Sequence, residues 1–163
     1  MYSCCDLFCG AGGAGQGLKH AGFDIIEGYD IEPQPDYPFD VFVEDAVQTD
    51  IEPYDFIWAR PPCQHHSLGT RKENRGKHAD LIEIIRNKLI DSGKPYIIEN
   101  VVGAPLIDPV MLCGTMFPEL KVFRHRLFES NVNLKVEMKC EHKGHKAKER
   151  RADSGDFYTV AGH

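Results

Sequence analysis

Short apolar runs recur along the first 100 residues, and each run ends at a glycine-rich turn or at acidic and polar side chains. Runs of this length between turn residues are typical of strands that are buried on both faces of a sheet. The pattern predicts five strands, at 2–8, 25–29, 41–43, 56–59 and 96–98. It also predicts a helix over 14–20, before Gly22, and a second from about His78 to Ser92, before Gly93.

The order of these elements predicts the fold class. Strands that alternate with helices or loop crossovers form a doubly wound, mostly parallel sheet, which is a Rossmann-like α/β architecture. From about Asn131 the pattern weakens into a polar, lysine-rich segment that we interpret as a hairpin or loop. The pattern therefore divides the chain into a main α/β domain at 1–130 and a small basic appendage at 131–163.

Composition narrows the class of protein. The 163 residues are 42% hydrophobic and 27% charged, which is ordinary for one globular domain. No apolar run approaches the roughly 20 residues that span a bilayer, and the first residues lack the features of a secretory signal. The six cysteines (4, 5, 9, 63, 113 and 140) lack the spacing of a disulfide framework. We therefore expect reduced thiols, a cytoplasmic location and no membrane partner.

Charge is distributed unevenly along the chain. Residues 1–120 carry 9 basic and 19 acidic groups, whereas residues 121–163 carry 10 basic and 6 acidic groups. A local basic patch can bind a polyanion even when the whole chain is acidic. A solvated charged surface explains the same distribution, so charge alone leaves both interpretations open.

A glycine-rich turn follows the first predicted strand. Gly10, Gly12 and Gly15 have the G-x-G-x-x-G spacing, and Asp30 lies at the end of the next strand. Glycine permits the backbone to approach a ligand closely, and a carboxylate in this place accepts hydrogen bonds from ribose hydroxyls. The motif is compatible with NAD, FAD or S-adenosylmethionine, and also with a tight turn that binds nothing.

Three further features stand at the ends of predicted strands. Cys63 follows two prolines, which stiffen the turn and present the thiol as a candidate nucleophile. Glu99 closes the fifth strand, and Arg124 and Arg126 project to one face if the chain there is extended. Taken singly, Glu99 is better explained as a turn cap and the arginine pair as a solvated edge strand.

Four motifs occur together in one order: 6–13 (DLFCGAGG), 61–64 (PPCQ), 99–101 (ENV) and 124–126 (RHR). Over about residues 4–130 the chain thereby resembles DNA (cytosine-5) methyltransferases, especially the short stand-alone type of phages and prophages. The resemblance implies the fold of class I S-adenosylmethionine-dependent methyltransferases, with 1–130 as the catalytic domain that binds S-adenosylmethionine. Residues 131–163 are then a short basic appendage or a truncated target-recognition region. The resemblance also implies S-adenosylmethionine as cofactor and duplex DNA as partner, and it implies no obligate protein partner.

The resemblance assigns the catalytic roles by position. Cys63 is similar to the nucleophile that adds to carbon 6 of cytosine, and Glu99 to its partner on the cytosine ring. Arg126, with Arg124 beside it, resembles the arginine that steadies the flipped base.

The remaining implied roles concern cofactor and DNA. Asp30 would hold the ribose hydroxyls, Ile31 would lie beside adenine and Asp45 would read its amino group. The full cofactor set implied is Phe8, Gly10, Gly12, Asp30, Ile31, Asp45 and Pro62. The segment 65–78 is similar to the mobile loop after the nucleophile, and DNA contacts are expected from Gln64, Arg71, Lys72, Arg75 and Lys77.

The chain departs from the family pattern in two places. Val122 stands where a glutamine usually opens the arginine motif, and the family's closing motifs are not visible before His163. A trimmed form of a longer protein and a minimal variant with impaired activity are both left open. The alternatives are therefore the same chemistry on RNA, or a module that binds cofactor or DNA without turnover. An NAD-linked oxidoreductase would explain the glycine turn but neither the cysteine motif nor the arginines.

A cluster of metal-binding residue types stands in the basic appendage. Cys140, His142 and His145 could bind zinc, with Cys113 or His163 as a fourth ligand. The spacing is not that of a standard zinc finger, and an unmetallated basic loop is the favoured interpretation.

Overall fold

A computed structural model of the chain describes residues 1–62, 81–117 and 119–142, and the backbone of two further short strands. The helices are α1 (Gly13–His20) and α2 (Leu81–Ser92), and a single 3-10 turn spans Gly114–Met116. The strands are β1 (Ser3–Leu7), β2 (Ile25–Asp30), β3 (Asp40–Val43), β4 (Phe56–Ala59), β5 (Tyr96–Asn100), β6 (Val110–Cys113), β7 (Val122–Phe123), β8 (His125–Ser130), β9 (Ala147–Lys148) and β10 (Phe157–Thr159).

Seven strands form the main sheet, in the order β3-β2-β1-β4-β5-β8-β6. Strands β3, β2, β1, β4 and β5 pair in parallel, whereas β8 pairs antiparallel with both β5 and β6. The strand order reverses between β1 and β4, and open α/β sheets bind ligands beside such a reversal. The predicted mostly parallel, Rossmann-like sheet is confirmed.

The two helices cover opposite faces of the sheet. On one face Ile85 and Leu89 of α2 belong to a buried cluster with Leu7, Ile57 and Ile98. On the other face, Leu18 of α1 clusters with two strand residues, Cys4 and Ile26. In the part of the chain that the structure describes, no helix has the length and apolar character needed to cross a membrane.

A buried ion pair joins α2 to β8. Arg86 Nε lies 2.6 Å from Glu129 Oε1, and Arg86 Nη2 donates to Glu129 Oε2 at 2.8 Å. Each side chain makes one further hydrogen bond: Arg86 donates to the Pro105 carbonyl, and Glu129 accepts from the Ile107 amide. This network fixes β8, which carries the arginine motif at its start, against the body of the sheet.

The five predicted strands and the first helix are confirmed to within one or two residues. The described part of α2 begins at Leu81, so its predicted start near His78 lies outside the described residues.

A smaller, three-stranded sheet has the order β7-β10-β9, and its strands pair in parallel. The hairpin alternative for the region after Asn131 is therefore wrong for β9 and β10, because a hairpin pairs its strands antiparallel. Strand β7 precedes residue 130, so this sheet draws on both sides of the predicted domain boundary.

Candidate active site

The candidate site lies at the edge of the sheet where β1, β2, β4 and β5 end. Because β8 is antiparallel to β5, the start of β8 reaches the same edge. A cavity of about 240 Å³ opens there. Its lining comprises Phe8, Gly10, Asp30, Arg60, Pro61, Pro62, Glu99, Asn100, Val101, Arg124 and Arg126. Strand pairing thus brings seven of the predicted catalytic and cofactor residues to one cavity.

The glycine turn and Asp30 form one side of the cavity. Phe8 and Gly10 both have positive φ, at 58° and 48°, so the chain turns sharply after β1. The Gly10 amide donates to Asp30 Oδ2 at 3.0 Å, and the Glu32 amide donates to Asp30 Oδ1 at 3.1 Å. Each carboxylate oxygen can still accept a further hydrogen bond, so Asp30 is held in place and can bind a hydroxyl.

Gly12 has a structural role in this turn. It caps α1 with a φ of 84°, and a Cβ there would lie 2.3 Å from Pro38 Cδ and 2.9 Å from Tyr37 Cδ2. A side chain at this position would therefore collide with the segment that follows β2. Gly12 is outside the cavity lining, so a direct cofactor contact by Gly12 stays a prediction.

Ile31 and Asp45 follow β2 and β3 at the same edge but do not line the cavity. Ile31 is 71% exposed. Asp45 is also exposed, and its Oδ1 accepts a hydrogen bond from the Val47 amide at 2.9 Å. Both residues lie at the periphery of the site.

The other side of the cavity holds an acid and an arginine. Arg126 Nε lies 3.4 Å from Glu99 Oε1, and their side chains are only 16% and 12% exposed. Arg126 Nη1 also donates to the His125 carbonyl at 2.9 Å, which fixes the guanidinium. Arg124 lines the same cavity, as the alternation of an extended chain predicts for residues two apart.

The chain that leads to the predicted nucleophile is anchored by a buried amide. Asn100, 3% exposed, donates from Nδ2 to the Pro61 carbonyl at 3.1 Å, so the end of β5 positions the segment after β4. Cys63 itself lies outside the described residues, as do the predicted DNA contacts Gln64, Arg71, Lys72, Arg75 and Lys77. Their roles stay predictions.

Arg60 is a site residue that the sequence analysis missed. Its Nη2 donates to the Cys9 carbonyl at 3.0 Å, and its amide donates to the Leu7 carbonyl at 3.1 Å. Arg60 therefore ties the glycine turn to the end of β4 and adds positive charge to the cavity. The available signal was a charged residue placed directly between an apolar strand and Pro61.

Asp6 is fully buried beneath the glycine turn. Its Oδ2 accepts a hydrogen bond from the Tyr37 hydroxyl at 3.0 Å, and its Oδ1 has no hydrogen-bond partner among the described residues. Burial raises the pKa of Asp6 to about 7, although the Tyr37 hydrogen bond and the Arg60 guanidinium oppose the rise. Asp6 is therefore a carboxyl that changes charge near neutral pH.

The predicted metal ligands lie at a separate place. Cys140 and His142 are close together, and they meet Cys113 and also His125, which the sequence analysis had not considered as a ligand. His145 and His163 lie outside the described residues.

Known structures show the same architecture. A crystal structure of a prophage-encoded E. coli protein, named as a DNA modification methyltransferase, superposes with a TM-score of 0.58 at 20% identity. The similarity covers 78% of this chain and 45% of that protein. The fold is thus that of a Rossmann-like methyltransferase.

The family follows from the sequence comparison. The profile of the C-5 cytosine-specific DNA methylase family matches residues 2–106, and the chain belongs to this family of S-adenosylmethionine-dependent enzymes. It is 30% identical over 118 residues to the type II methyltransferase M.AgeI of Thalassovita gelatinovora. It is 31% identical over 113 residues to M.DdeI of Desulfomicrobium norvegicum. Each similarity covers 60% of this chain but only 27% of the relative.

Proposed function

We propose that the protein transfers a methyl group from S-adenosylmethionine to carbon 5 of cytosine in double-stranded DNA. The observation that carries this proposal is one cavity with two chemically different sides. Asp30 and the Gly10 backbone form a side suited to a ribose, and Glu99 with Arg126 forms a side suited to a pyrimidine ring. The chain that leaves Pro62 toward Cys63 starts between them.

The residues on the first side fit the cofactor. Asp30 offers carboxylate oxygens, and the left-handed turn at Gly10 leaves backbone exposed to the cavity. The cavity is smaller than the roughly 300 Å³ at which drug-sized ligand sites begin. We therefore infer that the cofactor extends beyond it along the strand edge toward Ile31 and Asp45. When bound, S-adenosylmethionine supplies an electrophilic methyl group.

The residues on the second side fit cytosine. Carbon 5 of cytosine is a poor nucleophile, and a bond from the Cys63 sulfur to carbon 6 makes carbon 5 electron-rich. Glu99 can bind ring nitrogen 3 and the exocyclic amine, and Arg126 can donate to the ring carbonyl oxygen as negative charge develops. Carbon 5 then takes the methyl group, whose bond to the sulfonium sulfur breaks to release S-adenosylhomocysteine. A base removes the carbon 5 proton, the bond between carbon 6 and the Cys63 sulfur breaks, and the ring is restored.

We infer that the target base leaves the helix to enter the cavity. Extruding a base costs a few kcal/mol, which contacts with Glu99 and Arg126 would offset. Phosphate contacts are proposed for the segment 65–78, where Arg71, Lys72, Arg75 and Lys77 accompany a single acid, Glu73. These contacts would supply affinity, and they carry no information on the target sequence.

Methyl transfer from isotopically labelled S-adenosylmethionine tests the proposal. The protein is incubated with duplex DNA or with transfer RNA, and nucleosides are separated after digestion. We expect label in 5-methylcytosine from the duplex, and none with a Cys63→Ala variant. Label in RNA alone would assign the chemistry to RNA, and cofactor binding without transfer to either substrate would assign a binding module; both outcomes contradict the proposal.

A further inference from the structure

Four side chains with metal-binding atoms converge beside β6 and β8, away from the cavity. They are Cys113, His125, Cys140 and His142, and one ligand atom from each lies within 4.8 Å of all the others. Nε2 of His125 lies 3.3 Å from Cys140 Sγ, and Nε2 of His142 lies 3.1 Å from the same sulfur. His142 Nε2 is also 3.3 Å from Cys113 Sγ. Both imidazoles therefore direct Nε2 at Cys140 Sγ, and His142 Nε2 contacts Cys113 Sγ as well.

Strand pairing in the main sheet positions two of the four residues of this cluster. Cys113, the last residue of β6, pairs directly with His125, the first residue of β8, in the antiparallel ladder. Side chains opposite each other in such a pair lie on the same face, with Cβ atoms about 5 Å apart. Cys140 and His142 complete the cluster from the segment after β8, and the ring of Phe123 packs against His142 at 4.6 Å.

The donor set and its dimensions match zinc. A tetrahedral Zn²⁺ with sulfur at about 2.3 Å and nitrogen at about 2.0–2.1 Å places its ligand atoms roughly 3.3–3.8 Å apart. Three of the six separations between ligand atoms are 3.1–3.3 Å, and all six are within 4.8 Å, so the cluster has the size of that geometry. Two thiolates and two neutral imidazoles also balance the charge of the ion.

The surroundings favour thiolate ligands. The Thr115 hydroxyl donates to Cys113 Sγ at 3.2 Å and lies 3.9 Å from Cys140 Sγ. Hydroxyl donors of this kind orient metal ligands and hold their charge.

We propose that Cys113, His125, Cys140 and His142 bind one zinc ion in a closed, tetrahedral structural site. On binding, each thiol releases its proton to solvent and each imidazole binds through Nε2. Cys113, Cys140 and His142 were candidate ligands in the sequence analysis. His125 replaces His145 in the proposed set.

The site would also support the catalytic cavity. His125 stands between Arg124 and Arg126, and successive side chains of a strand point to opposite faces. A metal bound to His125 on one face would therefore hold the backbone from which both arginines reach the cavity on the other face. It would also fasten the segment 131–142, which has no helix or strand, to the main sheet.

Metal analysis of the purified chain tests the proposal. The protein is equilibrated with Zn²⁺, dialysed, and measured by plasma mass spectrometry together with a count of free thiols. We expect one zinc per chain, and at least a tenfold loss of zinc affinity in His125→Ala and in Cys140→Ser. His20→Ala and Cys63→Ser serve as matched controls and should keep the metal. Since no step of the measurement uses methyl transfer, its failure is distinguishable from failure of the proposed function.

His145→Ala separates the two possible ligand sets. If it retains zinc while His125→Ala loses it, the set proposed here is supported; the reverse result overturns it. Because a ligand variant can also fail to fold, cobalt binding to the wild-type chain provides a second measurement. Tetrahedral d–d bands with a thiolate charge-transfer band support the site, and a cobalt spectrum without thiolate ligation overturns it.

Discussion

Arg126 and Glu99 form an ion pair across the β5–β8 boundary, with Nε 3.4 Å from Oε1. The pair faces the cavity opposite Asp30, and both partners retain some access to solvent. Such a pair is held in place by the sheet, yet it can exchange its internal contact for contacts with a ligand. We therefore expect it to matter more for catalysis than for folding.

Removing the acid tests this expectation. We predict that Glu99→Gln lowers kcat by about 10²–10⁴-fold, the contribution typical of a positioned acid. The free energy of unfolding should fall by about 1–3 kcal/mol, because the pair is mostly buried but glutamine can still accept a hydrogen bond from the guanidinium. Glu52→Gln, which loses a surface pair with Lys94, is the matched control and should leave both quantities unchanged. Wild-type kcat in Glu99→Gln would remove Glu99 from the mechanism.

Two glycines of the same region should respond in opposite ways to alanine. Gly12→Ala combines a positive φ with a collision at 2.3 Å, and we predict a loss of at least about 2 kcal/mol. Gly17 lies within α1, and a Cβ there would meet nothing within 4 Å. Gly17→Ala should therefore gain about 0.5–1 kcal/mol through helix propensity. Urea unfolding measures both, and equal effects would contradict the packing described for Gly12.

The buried Arg86–Glu129 network predicts a large effect on stability. Glu129→Ala leaves the Arg86 guanidinium without its carboxylate, and we expect a loss of about 3–5 kcal/mol in urea unfolding. Replacing both partners, as in Arg86→Met with Glu129→Leu, should recover part of this loss. Glu137→Ala, at an exposed position, is the control. A double variant less stable than Glu129→Ala would contradict an uncompensated charge as the cause.

The buried carboxyl of Asp6 should make the stability of the protein depend on pH in an unusual direction. Because burial raises its pKa from 3.8 to about 7, the folded protein binds this proton more tightly than the unfolded chain. Stability from this group is complete below about pH 4 and is lost as the pH rises from there through 7, by on the order of 4 kcal/mol. Asp6→Asn should therefore unfold at a higher temperature than the wild type at pH 8, and the difference should shrink toward pH 4.

The carboxyl of Asp55 should change the pH dependence of stability in the opposite direction. The Ser3 amide and hydroxyl donate to its carboxylate and lower its pKa, so its contribution is present at neutral pH and is lost in acid. Asp55→Asn should then cost stability at pH 7 and little at pH 3. Parallel pH profiles for the wild type and Asp6→Asn would show that Asp6 does not titrate as described.

The parallel half of the fold was predictable because its strands are short, mostly apolar runs between turn residues, although β1 and β2 contain acidic residues and the edge strand β3 is largely exposed. Residues that directly follow such runs, as Asp30 and Glu99 do, were placed in the site for the same reason. Strands β6 and β8 were not predicted. The short apolar run of β6 was overlooked, whereas β8 mixes apolar and polar positions and pairs antiparallel.

Other features of the site could not be predicted because they depend on contacts between distant parts of the chain. Spacing in the sequence favoured His145 as a metal ligand, whereas the β6–β8 register brings His125 to Cys113. The contacts of Arg60 with the glycine turn and of Gly12 with Tyr37 and Pro38 depend on how the turns after β1, β2 and β4 pack together, which the motifs alone do not reveal.

Covalent trapping on duplex DNA that contains 5-fluorocytosine tests the central claim most directly. Fluorine at carbon 5 cannot leave as a proton does, so the bond between enzyme and base should persist after methyl transfer. We predict a complex that survives denaturation, requires S-adenosylmethionine, maps to Cys63 by peptide mass spectrometry and is absent in Cys63→Ala. Methylation of ordinary cytosine without any such complex, or an adduct on another residue, would contradict the account.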